Sequence, residues 1–501
     1  MVPACAQRPC SGVVFGSRTH AVELPGDLLT PFGVFCLLDS FSPGGDAFLF
    51  EGALGRYSYV GAGMGPSERL TFGGSPGPGD KPPLETLRHA LSVLQTEPRP
   101  DLPPLCGGLV GYLGWPAARW SEKLPQRLGP DPLFPDADLI VARELVAFDH
   151  RQGRAWAIGL GPDEADAKAR AQRLADRVLS VLSGAQGWPL PLRMPAAHAL
   201  PQQAMLAGSR FVPAPMGGGR AVFEKNVKRA LDYIRAGDLF QVVLSQRFEL
   251  PDCDGFSLYR TLRAASPAPF HFYLRLGGRE LFGASPELLV EVMNGRVTVR
   301  PIAGTRRRGK TPEEDRALEE ELLADPKERA EHVMLVDLGR NDVGRVSAIG
   351  SVRLERLMEI ERYSHVIHLT SQVSGALKPG LTAVDAFAAA FPAGTLSGAP
   401  KIRACEVIDE LEPVARGPYG GAVGWFSAAG EMQLAIAIRT LYRSQGRLFA
   451  HAGAGIVADS NPAFEWREVE TKARAAVSAA LGASKAQDES VPFVEREGAL
   501  R

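Results

Sequence analysis

Residues 237–250 read GDLFQVVLSQRFEL, and they decide the fold class. Gly237 closes an amphipathic helical stretch, FEKNVKRALDYIRAG, because glycine takes the left-handed conformation at a helix end with little steric cost. The residues that follow alternate as a strand. Phe240, Val242, Leu244 and Phe248 share one face, and Gln241, Ser245 and Arg247 share the other. Working outward, RVTVRPIAG, SHVIHLTSQVSG, GGAVGWFS, LAIAIRTLY and FAHAGAGIVAD repeat the strand signature. Periodicity predicts helices over 313–338, 382–390, 398–410 and 462–480. Strands in hairpin order with separate helices predict an α+β fold: large antiparallel sheets packed as a sandwich core, helices outside.

Upstream, LFEGALGRYSYVGAG, CGGLVGYLGW and DADLIVARELVAFDH read as strands broken by glycine turns, and 163–182 as a helix. A Pro/Gly/Ala-rich stretch then lacks periodicity. The expected organisation is an N-terminal region over 20–183, a linker over 184–219, a catalytic region over 220–480 and a loose tail over 481–501. The chain has 501 residues, enough for several domains or one large intertwined unit. With 45% hydrophobic and 23% charged residues and a net charge of -1, it reads as globular, with no basic surplus for nucleic acid or membrane. The six cysteines form no CxxC pair, and no signal peptide or membrane-span run is apparent, so a reducing cytoplasm is the expectation.

Two acidic pairs carry the first chemical signal. Glu328 and Glu331 in KERAEH, and Glu465 and Glu468 in FEWREVETK, each sit three apart on one helix face, with Lys472 a turn beyond. Like charges so placed belong either to a solvated face or beside a hard divalent cation such as Mg²⁺. His368 shares a strand face with Thr370 and Gln372, which suits either solvent or a polar cavity. Arg439, among apolar neighbours, is either paired internally or reserved for a carboxylate. The loop GAGIV at 453–457 and the segment PAGTLSGAPK at 392–401 are ordinary turns or anion cradles. GTRRRGKT at 304–311 fits a phosphate-loop expression, but Thr311-Pro312-Glu313-Glu314 reads as a helix cap and its acids would repel phosphate.

Together these segments resemble the chorismate-utilising enzymes, a family that includes anthranilate, aminodeoxychorismate, isochorismate and salicylate synthases. The motifs that carry the resemblance run from 220 to 477: GDLFQVVLSQRF, GASPELLV, RPIAGTRRRG, DPKERAEHVMLVDLGRND, FPAGTLSGAPKIRACEVIDELEP, RGPYGGAVGWFS, AGAGIVADS and the final ExxExxxK. Gln241 stands where the water-using members place a Lys base, and Ala303 stands where aminodeoxychorismate synthases often carry a nucleophilic Lys. Both resemble the ammonia-using, anthranilate-forming branch.

The resemblance implies a set of roles. Glu331 and Glu468 bind Mg²⁺, with Glu328 and Glu465 in support. Glu287 acts as general acid on the C4 hydroxyl. His368 and Thr305 position the ring, and Gln241 marks the nucleophile as neutral ammonia. Tyr419, Arg439, Gly453, Ala454, Gly455 and Lys472 hold the enolpyruvyl carboxylate of chorismate. No cysteine has the G-x-C-x-G setting of a glutaminase, so a glutamine amidotransferase subunit in trans is the implied partner. Other readings are the folate-branch sister, a stop at aminodeoxyisochorismate, or a non-catalytic relative that binds chorismate or a subunit. Ala303 speaks against the first, and the retained acids and His368 speak against the last. The family's tryptophan-binding segments read Leu49-Phe50-Glu51-Gly52 and Ser266-Pro267-Ala268-Pro269-Phe270-His271 here. Gly52 and His271 depart from the usual Ser and Met, so tryptophan inhibition is expected to be weak or absent.

Overall fold

The computed structural model describes residues 16–52, 55–64, 68–73, 81–182, 214–266, 268–362 and 366–481. Most of the expected linker, the tail beyond residue 481 and His365 lie outside the described residues.

Two sheets form the centre. The 12-stranded sheet is ordered Arg18–Leu24, Arg154–Gly161, Glu144–Asp149, Tyr57–Met64, Asp46–Glu51, Phe270–Leu276, Arg279–Ser285, Thr440–Ser444, Arg447–Ile456, Gln241–Leu250, Gly398–Ala399, with Ala214–Pro215 beside Gln241–Leu250. The 10-stranded sheet is ordered Ile302–Arg307, Val366–Ala376, Arg296–Val299, Leu288–Met293, Met432–Ile436, Ala422–Ser427, Gly108–Leu113, Ala137–Ala142, Arg69–Phe72, with Arg353–Arg362 beside Val366–Ala376. The neighbours pair antiparallel. Strands from both ends of the chain build each sheet: Phe50 lies opposite Phe272 in the first, and Gly111 opposite Gly424 in the second.

Phe48, Tyr59, Tyr112, Phe272, Trp425 and Tyr442 fill the space between the sheets. Burying each such side chain stabilises the fold by roughly 1.5–3 kcal/mol. Helices cover the outside. Leu87, Val343 and Phe387 seat three of them on the second sheet. Val34, Leu174 and Leu258 seat three on the first. Phe223, Val407 and Val469 seat another group over Gln241–Leu250 and Arg447–Ile456. This is the α+β sandwich expected from the alternating strands.

Three local expectations need correction. The helix read over 313–338 is two helices, Pro312–Ala324 and Pro326–Val346. Pro326 disfavours helical geometry at Asp325, whose carboxylate instead accepts from the N–H groups of Lys327 and Glu328 at 2.9 and 3.2 Å. Phe240 precedes the strand and is 73% exposed, whereas Gln241–Leu250 is buried on both faces apart from a partly exposed Glu249. The GAGIV stretch is no loop through Ile456. Gly453, Ala454 and Gly455 pair with Ser245, Leu244 and Val243 inside the sheet. The helix cap at Thr311 is present, its Oγ1 accepting from Glu314 N–H at 3.2 Å. Among the described residues, no helix is long and apolar enough to cross a membrane.

Candidate active site

The site lies where the chain passes between the sheets. After Arg279–Ser285 it leaves the first sheet and enters the second at Leu288–Met293; after Met432–Ile436 it returns to the first at Thr440–Ser444. Glu287 stands in one crossing and Arg439 in the other. The crossings are bonded side by side: Ile436 N–H donates to Glu287 O at 3.0 Å, and Ala284 N–H donates to Arg439 O at 3.2 Å. Ser285 Oγ donates to Ile436 O at 2.7 Å. Arg439 has a left-handed backbone, φ 49°. That conformation costs a non-glycine residue about 1 kcal/mol or more, and it persists because both neighbouring segments hold it.

Glu287 is buried, and its pKa is pushed up to about 7. Burial is the larger cause; a hydrogen bond from Thr395 Oγ1 to Oε1 at 2.9 Å and the charge of Arg439 pull the other way. Arg439 keeps an exposed side chain although protein atoms crowd around it; that crowding lowers its pKa and Glu287 raises it. Its guanidinium makes no hydrogen bond or ion pair among the described residues. His368 lies opposite Thr305 in the second sheet. Its Nδ1 is 3.1 Å from Thr305 Oγ1 and 3.2 Å from Gly304 O. A carbonyl oxygen only accepts, so Nδ1 carries the proton. Burial, with help from Arg439, lowers the His368 pKa and keeps the ring neutral.

The two acidic helices converge. Burial and then Glu328 raise the Glu331 pKa, with Glu468 of the other helix adding to them. Glu465 is buried, and its pKa is raised by burial and by Glu468, while Lys327 from the facing helix opposes. The arrangement is not a ready cage: among the described residues, no group of three or more acids, histidines or cysteines is set to hold a metal ion. Cations of the protein hold two of the acids. Glu468 pairs with Lys472 at 2.7 Å and Glu328 with Arg306 at 3.0 Å. Half-buried carboxylates that repel one another are nonetheless a hard oxygen donor set. Mg²⁺ needs only one or two of them, since it keeps waters and shares a substrate oxygen.

At the other end, Gly453 and Gly455 leave room for their neighbours. A Cβ at Gly453 would meet the Tyr419 hydroxyl at 2.8 Å, and one at Gly455 would meet Gln241 Nε2 at 2.8 Å. Tyr419 stacks on His451, centroids 4.2 Å apart. Lys472 Nζ donates to Gly453 O at 3.0 Å, which ties the second acidic helix to this end. Gln241 is 5% exposed; its amide lowers the Glu331 pKa by a hydrogen bond, while its Oε1 has no partner among the described residues. Thr395 was missed from the sequence, where PAGTLSGAPK was read only for its backbone; a hydroxyl five residues before the proline of SGAP gave no signal of its target.

The positions of the two tryptophan-segment motifs also come together. Glu51, Gly52, Pro269, Phe270 and His271 line a cavity of about 380 Å³ with aromatic walls. Glu51 accepts from Arg263 Nε at 2.6 Å and from the Tyr259 hydroxyl at 2.7 Å. His271 Nε2 donates to Ser266 O at 2.7 Å. A Cβ at Gly52 would meet Tyr57 O at 2.6 Å.

Known proteins share this sequence pattern and fold. The profile of the family described as chorismate binding enzyme matches residues 45–478. The chain belongs to that family. It is 47% identical to anthranilate synthase component 1 of Streptomyces coelicolor, across 94% of this chain and 91% of that one. It is 44% identical to the Thermus thermophilus protein of the same name, across 92% and 97%. The crystal structure of anthranilate synthase component I from Streptococcus pneumoniae superposes with a TM-score of 0.69 at 37% identity, covering 84% of this chain and 92% of that one. The menaquinone-specific isochorismate synthase of Escherichia coli shares the fold, with a TM-score of 0.67 at 18% identity.

Proposed function

We propose that this family member is the chorismate-converting component of an anthranilate synthase: chorismate and ammonia give anthranilate, pyruvate and water. The observation that carries the reading is the pair of bonded crossings, which put a buried carboxyl that exchanges its proton near neutrality beside an arginine with no partner among the described residues. Glu287 donates its proton to the C4 oxygen, which leaves as water, because hydroxide is a poor leaving group. Ammonia adds at C2 as the C4–O bond breaks and the ring double bonds shift. Its nitrogen then loses one proton. Removal of the C2 hydrogen and cleavage of the C3–O bond release the enol of pyruvate and make the ring aromatic. His368, kept neutral by burial, assists that elimination; the Gly304 carbonyl fixes its tautomer and Thr305 holds the ring in place.

Arg439, Tyr419 and the strand at Gly453, Ala454 and Gly455 hold the enolpyruvyl carboxylate, with Lys472 at the edge. The orphan Oε1 of Gln241 suits an N–H donor such as ammonia, and an amide cannot act as the base that a water nucleophile requires. Glu331 and Glu468, supported by Glu328 and Glu465, would hold Mg²⁺, which supplies positive charge beside the ring carboxylate. The names of the similar proteins as component 1 support a separate partner, and we assign it as a glutamine amidotransferase subunit that delivers ammonia. Mixing the chain with chorismate, MgCl₂ and ammonium at mildly alkaline pH tests the reading. Anthranilate fluorescence is the expected result. An aromatic amine that forms only after a lyase is added would point to the aminodeoxychorismate reaction and overturn it.

A further inference from the structure

A small cavity of about 50 Å³ adjoins Glu287, and a second buried carboxyl, Asp342, lines it. Its other walls are mostly apolar, including Leu289, Val299, Leu335 and Ala393. The space suffices for one or two water molecules, which need polar partners to reside there. Glu287, Thr395 and Asp342 supply them. Helix Pro326–Val346 links this cavity to the acid cluster: Glu328, Glu331, Leu335, Leu338 and Asp342 recur at helical spacing along one side. Asp342 is fixed by Lys401, whose Nζ donates to Asp342 Oδ2 at 2.8 Å and to Ala390 O at 3.0 Å. Lys401 thereby clamps both ends of the segment that carries Thr395. The DLGRND and SGAPK motifs thus have a structural meaning that the reaction scheme above leaves unused.

The chemistry poses a problem that this cavity answers. Glu287 gives up a proton in each turnover and must regain one, yet it is buried, and the small cavity shared with Asp342 adjoins it. We propose that Asp342 is a positioning and proton-relay residue that reprotonates Glu287 through water held in this cavity. In the balanced step, the Glu287 carboxylate takes a proton from the cavity water. That water takes one from the Asp342 carboxyl. Asp342, now ionised beside the Lys401 ammonium, is reprotonated from solvent. The charged groups around Asp342 are Lys401, Arg345 on its own helix and Arg300 at the cavity wall, the last paired with Glu361; across the cavity lies Glu287. Burial raises the Asp342 pKa to about 6, with Lys401 and Arg345 opposing, so Asp342 exchanges protons near neutrality.

The inference rests on Glu287 being the general acid, and its test separates the two. Rapid mixing of the full chain with chorismate, Mg²⁺ and ammonium resolves the first turnover from the steady state. For Asp342→Asn the expected result is a first turnover at the native rate, then a steady state slowed by about tenfold or more. The native chain should show no such burst. Asp342→Glu, which retains a carboxyl, should remove most of the burst. If Asp342→Asn leaves the lysine charge buried alone and unfolds the chain, Asp342→Asn with Lys401→Met carries the same burst test. Equal slowing of the first and later turnovers would show a structural role only and overturn the relay. Normal turnover by Glu287→Gln would instead overturn the acid assignment beneath it.

Discussion

Thr395 Oγ1 donates to Glu287 Oε1 at 2.9 Å, and this bond joins the segment before helix Lys401–Leu411 to the crossing between the sheets. It stabilises the ionised form of a carboxyl that burial otherwise keeps protonated. Replacing Thr395 by Val removes the donor, so the Glu287 pKa rises. Because the acid works in its protonated form, activity falls as pH rises through that pKa. The alkaline limb of the kcat profile should therefore move to higher pH in Thr395→Val. A limb that stays in place, or moves to lower pH, would separate Thr395 from the titration.

Glu287→Gln should lower kcat by about 10²-fold or more, with chorismate binding largely intact. It should also change stability with a defined sign. The folded-state pKa of about 7 lies above the ordinary 4.5, so the buried carboxylate costs nothing well below pH 4.5. The cost grows between 4.5 and 7 and is complete above, at about 3 kcal/mol. Glutamine removes it. Thermal melts should show Glu287→Gln more stable than the native chain at pH 8 and equal to it at pH 4. Lower stability at pH 8 would mean the carboxylate is better solvated than its surroundings imply.

The acid cluster makes a separate prediction. Glu331 must lose its proton before it can ligate a cation, and burial and Glu328 both favour the protonated form. Mg²⁺ affinity, measured by titration calorimetry, should weaken as pH falls toward the carboxylate range. Lys472→Met frees Glu468 from its 2.7 Å ion pair and should tighten Mg²⁺ binding while weakening chorismate binding. Glu331→Gln should abolish metal-dependent turnover. Metal affinity unchanged in Glu331→Gln would remove that residue from the ligand set.

How much of this was legible in the sequence depends on the kind of signal. Alternation along Gln241–Leu250 and the 3.6-residue repeat of the helices predicted the sandwich: apolar residues pack one face of each element, and on the strand's other face buried polar partners satisfy Ser245 and Arg247. The pairing of Glu331 with Glu468 across 137 positions has no local signature. Only the motif resemblance brought them together; the structure adds that Lys472 and Arg306 compete for the same carboxylates. Arg439 was legible as an arginine among apolar residues but was taken as mid-strand. Its left-handed backbone at a sheet crossing follows from tertiary routing, which no short pattern encodes. Phe240 misled because alternation continues one residue beyond the point where pairing of Gln241–Leu250 begins. The helix break at Asp325 was available from Pro326 and was outweighed by continuous helical periodicity.

The effector cleft tests a departure. The Gly52 Cα lies so close to Tyr57 O and Gly55 that a side chain must displace backbone. Gly52→Ser should therefore destabilise the fold by about 1–3 kcal/mol, read as a lowered Tm. Glu51 is already engaged by Arg263 and Tyr259, and His271 by Ser266. Tryptophan should accordingly inhibit the native chain weakly or not at all in a steady-state titration. Tight, saturable inhibition would show that the cleft accommodates the amino acid despite these substitutions.

Arg439 is the sharpest test of how the substrate is held. Its guanidinium has no partner among the described residues, and Glu287 in the adjoining crossing is the charge that acts on it. A planar fork with no internal partner is suited to grip a carboxylate with two parallel hydrogen bonds. Lysine supplies the charge without the fork, so Arg439→Lys should raise KM for chorismate by about tenfold or more, and Arg439→Ala by more still. Removing the positive charge also lets the Glu287 pKa rise and the His368 pKa rise, since Arg439 depresses both. The kcat profile of Arg439→Ala should then shift toward higher pH on its alkaline side, while Arg439→Lys leaves it nearly unchanged. If both variants kept the native KM and the native profile, the enolpyruvyl carboxylate would have to bind elsewhere.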